Sequence, residues 1–369
     1  MTSEGRVFPA PLCKTACLGC GYGFHSQSLT AADQTGFYGD DYDIGLAAPD
    51  ADRARAADYA GHIERVLATS ERPVRAGSTI LEQGCGTGAL LTMLTDRWRS
   101  HSALGVEPAP RLAEVAALSA HPRARIQTGY AEDAATGEKF DLVLSVNVIE
   151  HSLDPRQFLS VCRQALRDGG TIVVVCPDGD TPDTELLFRD HVSSFSKTSM
   201  SIIAASVGLR IHAHEALDGR QIGFQVFLLE PDPAPGQMTE LLGRRSNGEE
   251  LARARNTYLD RWRAVEARTL ARLDGRRFAI FGIGEFADLL NAYAPELVRR
   301  AEMFVADDVG KGTKFNLPVV KTAEFLQEET LPLIAAVNPR SWPFVKARLG
   351  ADVPCLIHPD QLHHAEVHS

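Results

Sequence analysis

The chain has 369 residues, of which 44% are hydrophobic, which is enough to build the cores of two or three domains. Its formal net charge is −10, from 38 basic and 48 acidic residues without a dense Lys/Arg tract, and this excludes nucleic acid as an expected partner. No apolar stretch reaches membrane-spanning length, and no basic segment followed by an apolar one opens the chain, so we expect a cytoplasmic protein without a membrane partner.

The first 45 residues predict a small lobe rich in Cys and Gly. Cys13, Cys17 and Cys20 lie close together, and His25 follows them. The C-x-x-C-G run is half of a zinc knuckle, because two thiolates on a tight turn can share one tetrahedral ion. The C-x3-C-x2-C spacing is also that of the iron–sulfur ligands in radical S-adenosylmethionine enzymes. A loop without any metal is the third interpretation.

A glycine-rich turn follows a predicted helix over 55–72 and a short apolar strand. Glu82 lies near the end of that strand, and Gly84, Gly86 and Gly88 form the turn that leads into a helical pattern. Glycines at this spacing let the backbone approach a ligand closely and adopt positive φ. An NAD-binding Rossmann unit has a similar turn, but Glu82 would repel a pyrophosphate and instead suits the cationic methionine part of S-adenosylmethionine.

The next apolar run ends at Glu107, about 20 residues beyond the glycines, where a nucleoside-binding fold places the acid that accepts the ribose hydroxyls. Further segments follow in order: 129–133, 140–151 and 166–175. With them, residues 79–176 resemble the class I S-adenosylmethionine-dependent methyltransferases. The resemblance implies S-adenosylmethionine as the cofactor, bound by Glu82, Gly84, Gly86, Gly88, Glu107, Pro108, Ala131, Glu132, Asp133, Asn147 and His151.

A linker rich in proline begins at Pro231, and the spacing of apolar residues then predicts one or two amphipathic helices up to Leu273. From Arg277 a strand–helix–strand pattern predicts a second doubly wound sheet. Its turn at Gly282 and Gly284 could hold a second nucleotide, although two glycines more simply indicate close helix–strand packing. The predicted fold is α/β, with a lobe over 1–45, a methyltransferase-like core over 55–230, a linker with helices over 231–275 and a Rossmann-like domain over 276–369.

This arrangement resembles the sugar C-methyltransferases of deoxysugar biosynthesis, which have a zinc-binding N-terminal lobe, a class I core and a C-terminal Rossmann-like domain. The resemblance depends on these segments: 11–12, 17–21, 37–42, 82–88, 105–108, 147–151, 281–284, 308–312 and 317–319. It implies C-methylation of a nucleotide-linked keto-deoxysugar through an enolate, in the biosynthesis of a natural product such as an antibiotic. This chain lacks the family's first C-x-x-C pair, so Cys13 and His25 would complete a zinc site with Cys17 and Cys20.

The same resemblance implies the catalytic residues. Where the family has Tyr-His-Glu-His, this chain has Phe188-Arg189-Asp190-His191, so only the last position is unchanged. By resemblance His191 is the base, Asp190 supports it or orients the sugar, and Tyr38 or Tyr42 donates a hydrogen bond to the enolate oxygen. The changed positions keep open a second class, an O-, N- or C-methyltransferase of another small natural-product acceptor. An iron–sulfur protein using Cys13, Cys17 and Cys20 is the third alternative.

Overall fold

The computed structural model describes residues 1–8, 12–27, 29–39, 42, 46, 48–131, 137–233, 247–307, 312–328 and 331–349. The chain divides into two compact units, one formed by residues 11–254 and the other by residues 1–10 together with 255–369. The predicted α/β class, with Rossmann-like sheets, is confirmed. Among the helices of the described ranges, none is both long and apolar enough to cross a bilayer.

The larger unit is built on a seven-stranded sheet in the order β5-β4-β3-β6-β7-β10-β9. Its elements are α2 (Pro49–Thr69), β3 (Ile80–Gln83), α3 (Ala89–Arg97), β4 (Ala103–Glu107), α4 (Pro110–Ser119), β5 (Ala124–Thr128), β6 (Phe140–Val146), α5 (Pro155–Ala165), β7 (Leu166–Pro177), α6 (Lys197–Ser206), β9 (Leu209–Ala216) and β10 (Phe224–Pro231). The strands from β5 to β7 are parallel, and β10 runs antiparallel to both of its neighbours, β7 and β9. The strand order reverses between β3 and β6, which opens a crevice at their carboxyl ends.

The central strands β3 and β4 are buried along their whole length because helices cover both faces of the sheet. Alternate side chains of β3 and β6 point to opposite faces. Ile80 belongs to the core beneath α2 and α3, whereas Leu81 and Val143 belong to the core beneath α5 and α6. Burial of one such aliphatic side chain stabilises the fold by about 1.5–3 kcal/mol.

A three-stranded antiparallel sheet lies in the same unit. It is formed by β1 (Lys14–Ala16), β2 (Gly23–His25) and β8 (Ser193–Ser194), with β2 in the middle. The helix α1 (Ala31–Phe37) follows the hairpin and begins with a capping box in which Thr30 and Asp33 bond to each other's backbone. The Cys-rich lobe therefore shares a sheet with the segment that contains His191.

The smaller unit has a five-stranded sheet in the order β13-β14-β12-β11-β15, parallel except for β13. The remaining elements are α7 (Gly248–Leu273), β11 (Ala279–Phe281), α8 (Glu285–Tyr293), α9 (Pro295–Arg300), β12 (Phe304–Ala306), β13 (Gly312–Lys314), β14 (Leu317–Lys321), α10 (Thr322–Glu328), β15 (Leu333–Ala335) and α11 (Trp342–Leu349). A Cβ at Gly282, whose φ is 103°, would lie 2.4 Å from the Ala336 carbonyl oxygen, so this glycine is required for close packing after β11.

Candidate functional site

The glycine loop after β3 adopts the predicted left-handed turns. The φ angles of Gly84, Gly86 and Gly88 are 69°, 54° and 75°. A Cβ at Gly84 would lie 2.4 Å from a methyl group of Val148, whereas a Cβ at Gly86 would meet no atom within 4 Å. Gly84 therefore permits close packing against the loop after β6, and Gly86 leaves open space above the loop.

Glu82 is a buried acid at the end of β3, only 3% exposed, and its Oε2 atom has no hydrogen-bond partner. Burial, together with the charge of Glu107, raises the pKa of Glu82 to about 8. A buried carboxylate oxygen without a partner is costly unless a ligand satisfies it. Glu82 thus fits a cationic group placed beside the glycine loop.

Glu107 ends β4 and holds the loop from the other side. Its Oε2 accepts a hydrogen bond of 2.8 Å from the Gly86 N–H, and its Oε1 accepts one of 2.9 Å from the Ala109 N–H. Burial raises the pKa of Glu107, although these two backbone hydrogen bonds oppose the shift. Each oxygen retains one lone pair, so the carboxylate can still accept hydroxyl donors.

Asn147 follows β6 and adopts φ of 56°, a left-handed conformation that asparagine tolerates. Its Nδ2 donates to the Tyr59 hydroxyl of α2 over 2.8 Å, while its buried Oδ1 has no partner. Asp52, in the first turn of α2, accepts a hydrogen bond of 2.6 Å from the Thr87 hydroxyl. The helix α2 thus positions both the glycine loop and Asn147, a role that the sequence pattern did not predict.

The other predicted cofactor residues are only partly described. Pro108 is half-buried after β4, and Ala131 is buried in the core of the sheet. Glu132 and Asp133 lie outside the described residues. The role of this segment in holding an adenine stays a prediction.

A buried cluster of His and Glu side chains lies directly after Asn147 and Val148. Glu150 and His151 form a 3₁₀ turn, and His191 comes from the segment before β8. The rings of His151 and His191 lie 4.7 Å apart at an angle of 88°. Both oxygens of Glu150 and the Nδ1 atom of His191 are buried without a hydrogen-bond partner. The sequence pattern did not predict a functional role for Glu150, although this residue directly precedes His151.

Hydrogen bonding fixes the tautomer of His151. Its Nδ1 lies 2.9 Å from the Asp190 carbonyl oxygen, which can only accept, so Nδ1–H is the donor. The Asp190 carboxylate lies 3.8 Å from the same nitrogen. Burial lowers the pKa of His151, and burial with the neighbouring His151 ring lowers the pKa of His191 well below its usual value. The two imidazoles are therefore neutral near pH 7.

The predicted tyrosines border this cluster. The Tyr38 ring lies 5.9 Å from the His151 ring at 86°, and the Tyr42 ring lies 5.0 Å from that of Tyr38. Burial raises the pKa of Tyr38 well above its usual value, so its phenol keeps a proton to donate. The structure brings His191, Asp190, Tyr38 and His151 to one place.

The N-terminal hairpin holds the backbone around His191. The Lys14 ammonium donates to the His191 carbonyl, and His25 Nε2 donates to the Arg189 carbonyl over 2.8 Å. The Tyr22 hydroxyl also bonds to Ser193 over 2.5 Å. One nitrogen of His25 is therefore already engaged by the backbone, and burial lowers the pKa of His25 to about 4.

The three cysteines of the lobe, Cys13, Cys17 and Cys20, are half-buried thiols. Burial raises the pKa of Cys17, but hydrogen bonds from Cys20 and Gly19 outweigh it and the net shift is downward. Within the described ranges, Cys13, Cys17, Cys20 and His25 do not supply three ligand atoms within 4.8 Å of one another; Glu150, His151 and His191 do. Zinc or iron at the cysteines stays a prediction.

Comparison with known proteins identifies the core. Residues 51–214 match the family model described as "Methyltransferase domain". Residues 51–214 are thus similar to methyltransferase domains, and the sheet that they contribute to has the Rossmann-like fold of class I methyltransferases. A ubiquinone biosynthesis O-methyltransferase from Cereibacter sphaeroides is 38% identical over 120 residues, which are 30% of this chain and 47% of that protein. A ubiquinone biosynthesis O-methyltransferase from Roseobacter denitrificans is 36% identical over 120 residues, 30% of this chain and 45% of that protein.

The chain thus spans about half the length of these curated relatives. A structure of an S-adenosylmethionine-dependent methyltransferase from Clostridium acetobutylicum is similar at 12% identity, covering 51% of this chain and 95% of that one, with a TM-score of 0.41.

The methyltransferase domain has a cradle that fits S-adenosylmethionine. The unpartnered oxygens of Glu82 and Asn147 lie at the ends of the adjacent strands β3 and β6, and the space above Gly86 is open. Glu82 suits the ammonium of the cofactor, and Glu107 suits its ribose hydroxyls. These residues fit the cofactor on the chemistry of their own donor and acceptor atoms.

Proposed function

We propose that this protein transfers a methyl group from S-adenosylmethionine to a hydroxyl oxygen of a small organic acceptor. The match to the methyltransferase family model supports methyl transfer. The relatives named as ubiquinone biosynthesis O-methyltransferases favour oxygen as the methylated atom. The proposed acceptor is therefore a small molecule other than a nucleotide-linked deoxysugar.

The observation that carries the proposal is the position of the unpartnered nitrogen of His191. It lies in a buried cluster that begins two residues after Val148, the residue packed on Gly84 of the glycine loop. Methylation of a hydroxyl releases a proton, and a neutral imidazole held beside the cofactor cradle is suited to take it.

The residues of the chain have distinct roles in this proposal. S-adenosylmethionine, when bound, supplies an electrophilic methyl group with a neutral thioether as the leaving group. Glu82 and Glu107 hold the cofactor, and Asn147 offers its free amide oxygen beside them. His191 accepts the hydroxyl proton, Asp190 orients the neighbouring His151, and Tyr38 donates a hydrogen bond to the acceptor.

The test is methyl transfer by purified protein to two acceptor panels, hydroxylated aromatic compounds and thymidine-diphosphate 4-keto sugars, in deuterated water. We expect methyl ethers without exchange of carbon-bound hydrogen. His191→Asn should lower turnover by about 10²–10⁴-fold while calorimetry still shows cofactor binding. His101→Asn, two residues before β4 and so at the opposite end of the sheet, is the matched control.

The keto-sugar panel tests a second candidate, C-methylation through an enolate. It is favoured by the shared His191 position and the chain-wide resemblance to sugar C-methyltransferases. A product with a new carbon–carbon bond at the α carbon, together with deuterium at that carbon in the recovered unmethylated sugar, would replace the hydroxyl proposal. Methylation of neither panel by protein that binds the cofactor would refute both.

A further inference from the structure

We infer that Glu150, His151 and His191 form a binding site for a divalent transition-metal ion. The ligand atoms that these three side chains offer all lie within 4.8 Å of one another. One carboxylate and two imidazoles are a donor set that suits zinc, iron and cobalt. The inference rests on the proposed methyl transfer but changes the role of His191 in it, because a His191 nitrogen that binds the ion cannot also accept the hydroxyl proton. The ion would instead lower the pKa of the acceptor hydroxyl bound to it, and the proton would pass to water.

Unsatisfied buried atoms are the independent reason to expect a ligand here. Glu150 is 1% exposed and His191 is 7% exposed, yet both Glu150 oxygens and His191 Nδ1 have no hydrogen-bond partner. Burying these polar atoms without a hydrogen-bond partner costs free energy of folding, and this is a reason to expect a ligand that satisfies them. His191 Nδ1 lies 3.9 Å from Glu185 Oε2, which is beyond hydrogen-bond distance. A cation bound by Glu150 and His191 would satisfy the Glu150 carboxylate and the imidazole nitrogen together.

His151 already has the arrangement of a metal-binding histidine. Its Nδ1–H donates to the Asp190 carbonyl, with the Asp190 carboxylate at 3.8 Å, so Nε2 carries the lone pair that remains for a ligand. Metal-bound histidines commonly donate their second nitrogen to a carbonyl or carboxylate in this way.

The spacing requires only a small contraction. If all three separations were 4.8 Å, the centre of the triangle would lie about 2.8 Å from each atom, compared with about 2.0–2.2 Å in zinc sites. Each ligand atom would move inward by at most about 0.8 Å, which small side-chain rotations supply. Three protein ligands leave one position open, as in catalytic zinc sites, and an acceptor oxygen can occupy it.

The experiment uses the full chain, treated with a chelator and then titrated with Co²⁺. We expect one equivalent to bind with visible ligand-field bands and without a thiolate charge-transfer band. The spectrum should persist in Cys17→Ser/Cys20→Ser and in His101→Asn. Glu150→Gln and His191→Asn should weaken binding by at least about tenfold, the lower end of the cost of losing even an outer partner of a metal ligand.

Thiolate bands, or Co²⁺ binding that survives Glu150→Gln and His191→Asn, would overturn the inference. X-ray absorption of the zinc-loaded wild-type protein gives a second test that needs no variant. A shell of nitrogen and oxygen supports the site, whereas sulfur at about 2.3 Å places the ion at the cysteines and refutes it. Methyl transfer with and without the ion is measured separately, so failure of the proposed function is distinguishable from failure to bind metal.

Discussion

Two buried carboxyl groups, those of Glu82 and Glu107, lie near the ends of adjacent parallel strands and are the acidic groups of the proposed cofactor cradle. Glu107 is engaged by two backbone N–H groups, whereas one oxygen of Glu82 has no partner and its pKa is about 8. Two like charges this close to each other favour protonation of the less well solvated one. Below pH 8, Glu82 is therefore mostly protonated before the cofactor binds.

Glu107→Ala should lower cofactor affinity by at least about tenfold to a hundredfold, because a buried ribose would lose its acceptors. Titration calorimetry with S-adenosylmethionine measures the change. Glu138→Ala is the control, since Glu138 forms an exposed ion pair with Arg125 and such pairs contribute little. Unchanged affinity in Glu107→Ala would contradict the placement of the cofactor.

Binding of S-adenosylmethionine should release close to one proton at pH 6.5. Glu82, with its pKa of about 8, is mostly protonated at that pH, and a bound ammonium group lowers the pKa and expels the proton. Below pH 8 the affinity should therefore rise with pH. Calorimetry in buffers of different ionisation enthalpy counts the protons. Glu82→Gln should bind more weakly and release none; a wild-type release of zero would contradict this role of Glu82.

At the scale of elements, two loops meet at the carboxyl ends of β3 and β6. The glycine loop and the loop after β6 touch through Gly84 and Val148, and α2 contacts both through Asp52 and Tyr59. The cradle is therefore built by packing between elements that are separate in sequence. Its geometry should respond to a single added methyl group.

Gly84→Ala should impair both folding and cofactor binding. Its φ of 69° disfavours a side chain, and the new Cβ would lie 2.4 Å from Val148. The cost is on the order of 1–3 kcal/mol in the free energy of unfolding. Gly86→Ala shares the positive φ but meets open space, so it separates backbone strain from the clash. Equal denaturation midpoints for the two variants would show that the contact with Val148 does not matter.

Much of this architecture could be predicted from local patterns. The strand that contains Glu82, the glycine turn and the strand ending at Glu107 are each set by neighbouring residues, and the amphipathic helical pattern predicted up to Leu273 forms a helix that ends there. The segment 166–175 is part of a longer strand, since β7 runs from Leu166 to Pro177 and its first residue pairs with Phe140. Pairing with a distant strand extends an element beyond what its own residues indicate.

The acceptor side of the site could not be predicted in this way. His25 and Arg189 are 164 positions apart, and their hydrogen bond depends on the tertiary fold. The sequence pattern singles out the cysteines of the lobe, whereas the side-chain hydrogen bonds of the lobe to residues 189–193 come from Lys14, Tyr22 and His25. No periodicity in either segment signals the other. The burial of Glu150 likewise depends on the arrangement of separate loops.

At the scale of the whole molecule, the chain has two compact units with separate sheets and separate cores. The cofactor cradle and the His cluster belong to residues 11–254, and the sheet from β11 to β15 belongs to the other unit. Units with their own cores often unfold as separate cooperative blocks.

Scanning calorimetry should therefore resolve two transitions, of which S-adenosylmethionine shifts only one. A ligand at 100 times its dissociation constant stabilises the unit that binds it by about 2.7 kcal/mol. The transition that S-adenosylmethionine does not shift belongs to the unit of residues 1–10 and 255–369. In Glu107→Ala, the transition of residues 11–254 should no longer shift. A single transition that moves as a whole would show that the two units unfold together.

The sheet of β1, β2 and β8 joins the N-terminal hairpin to the segment that contains His191. The matched domain at 51–214 contains the cofactor cradle, but the hairpin that clamps the His191 segment lies before it in the chain. A chimeric protein that contained only residues 51–214 of this chain would keep the proposed cofactor cradle. It would lose the hydrogen bonds from Lys14 and His25 to the backbone around His191. The proposed acceptor site therefore depends on residues that lie outside the matched domain.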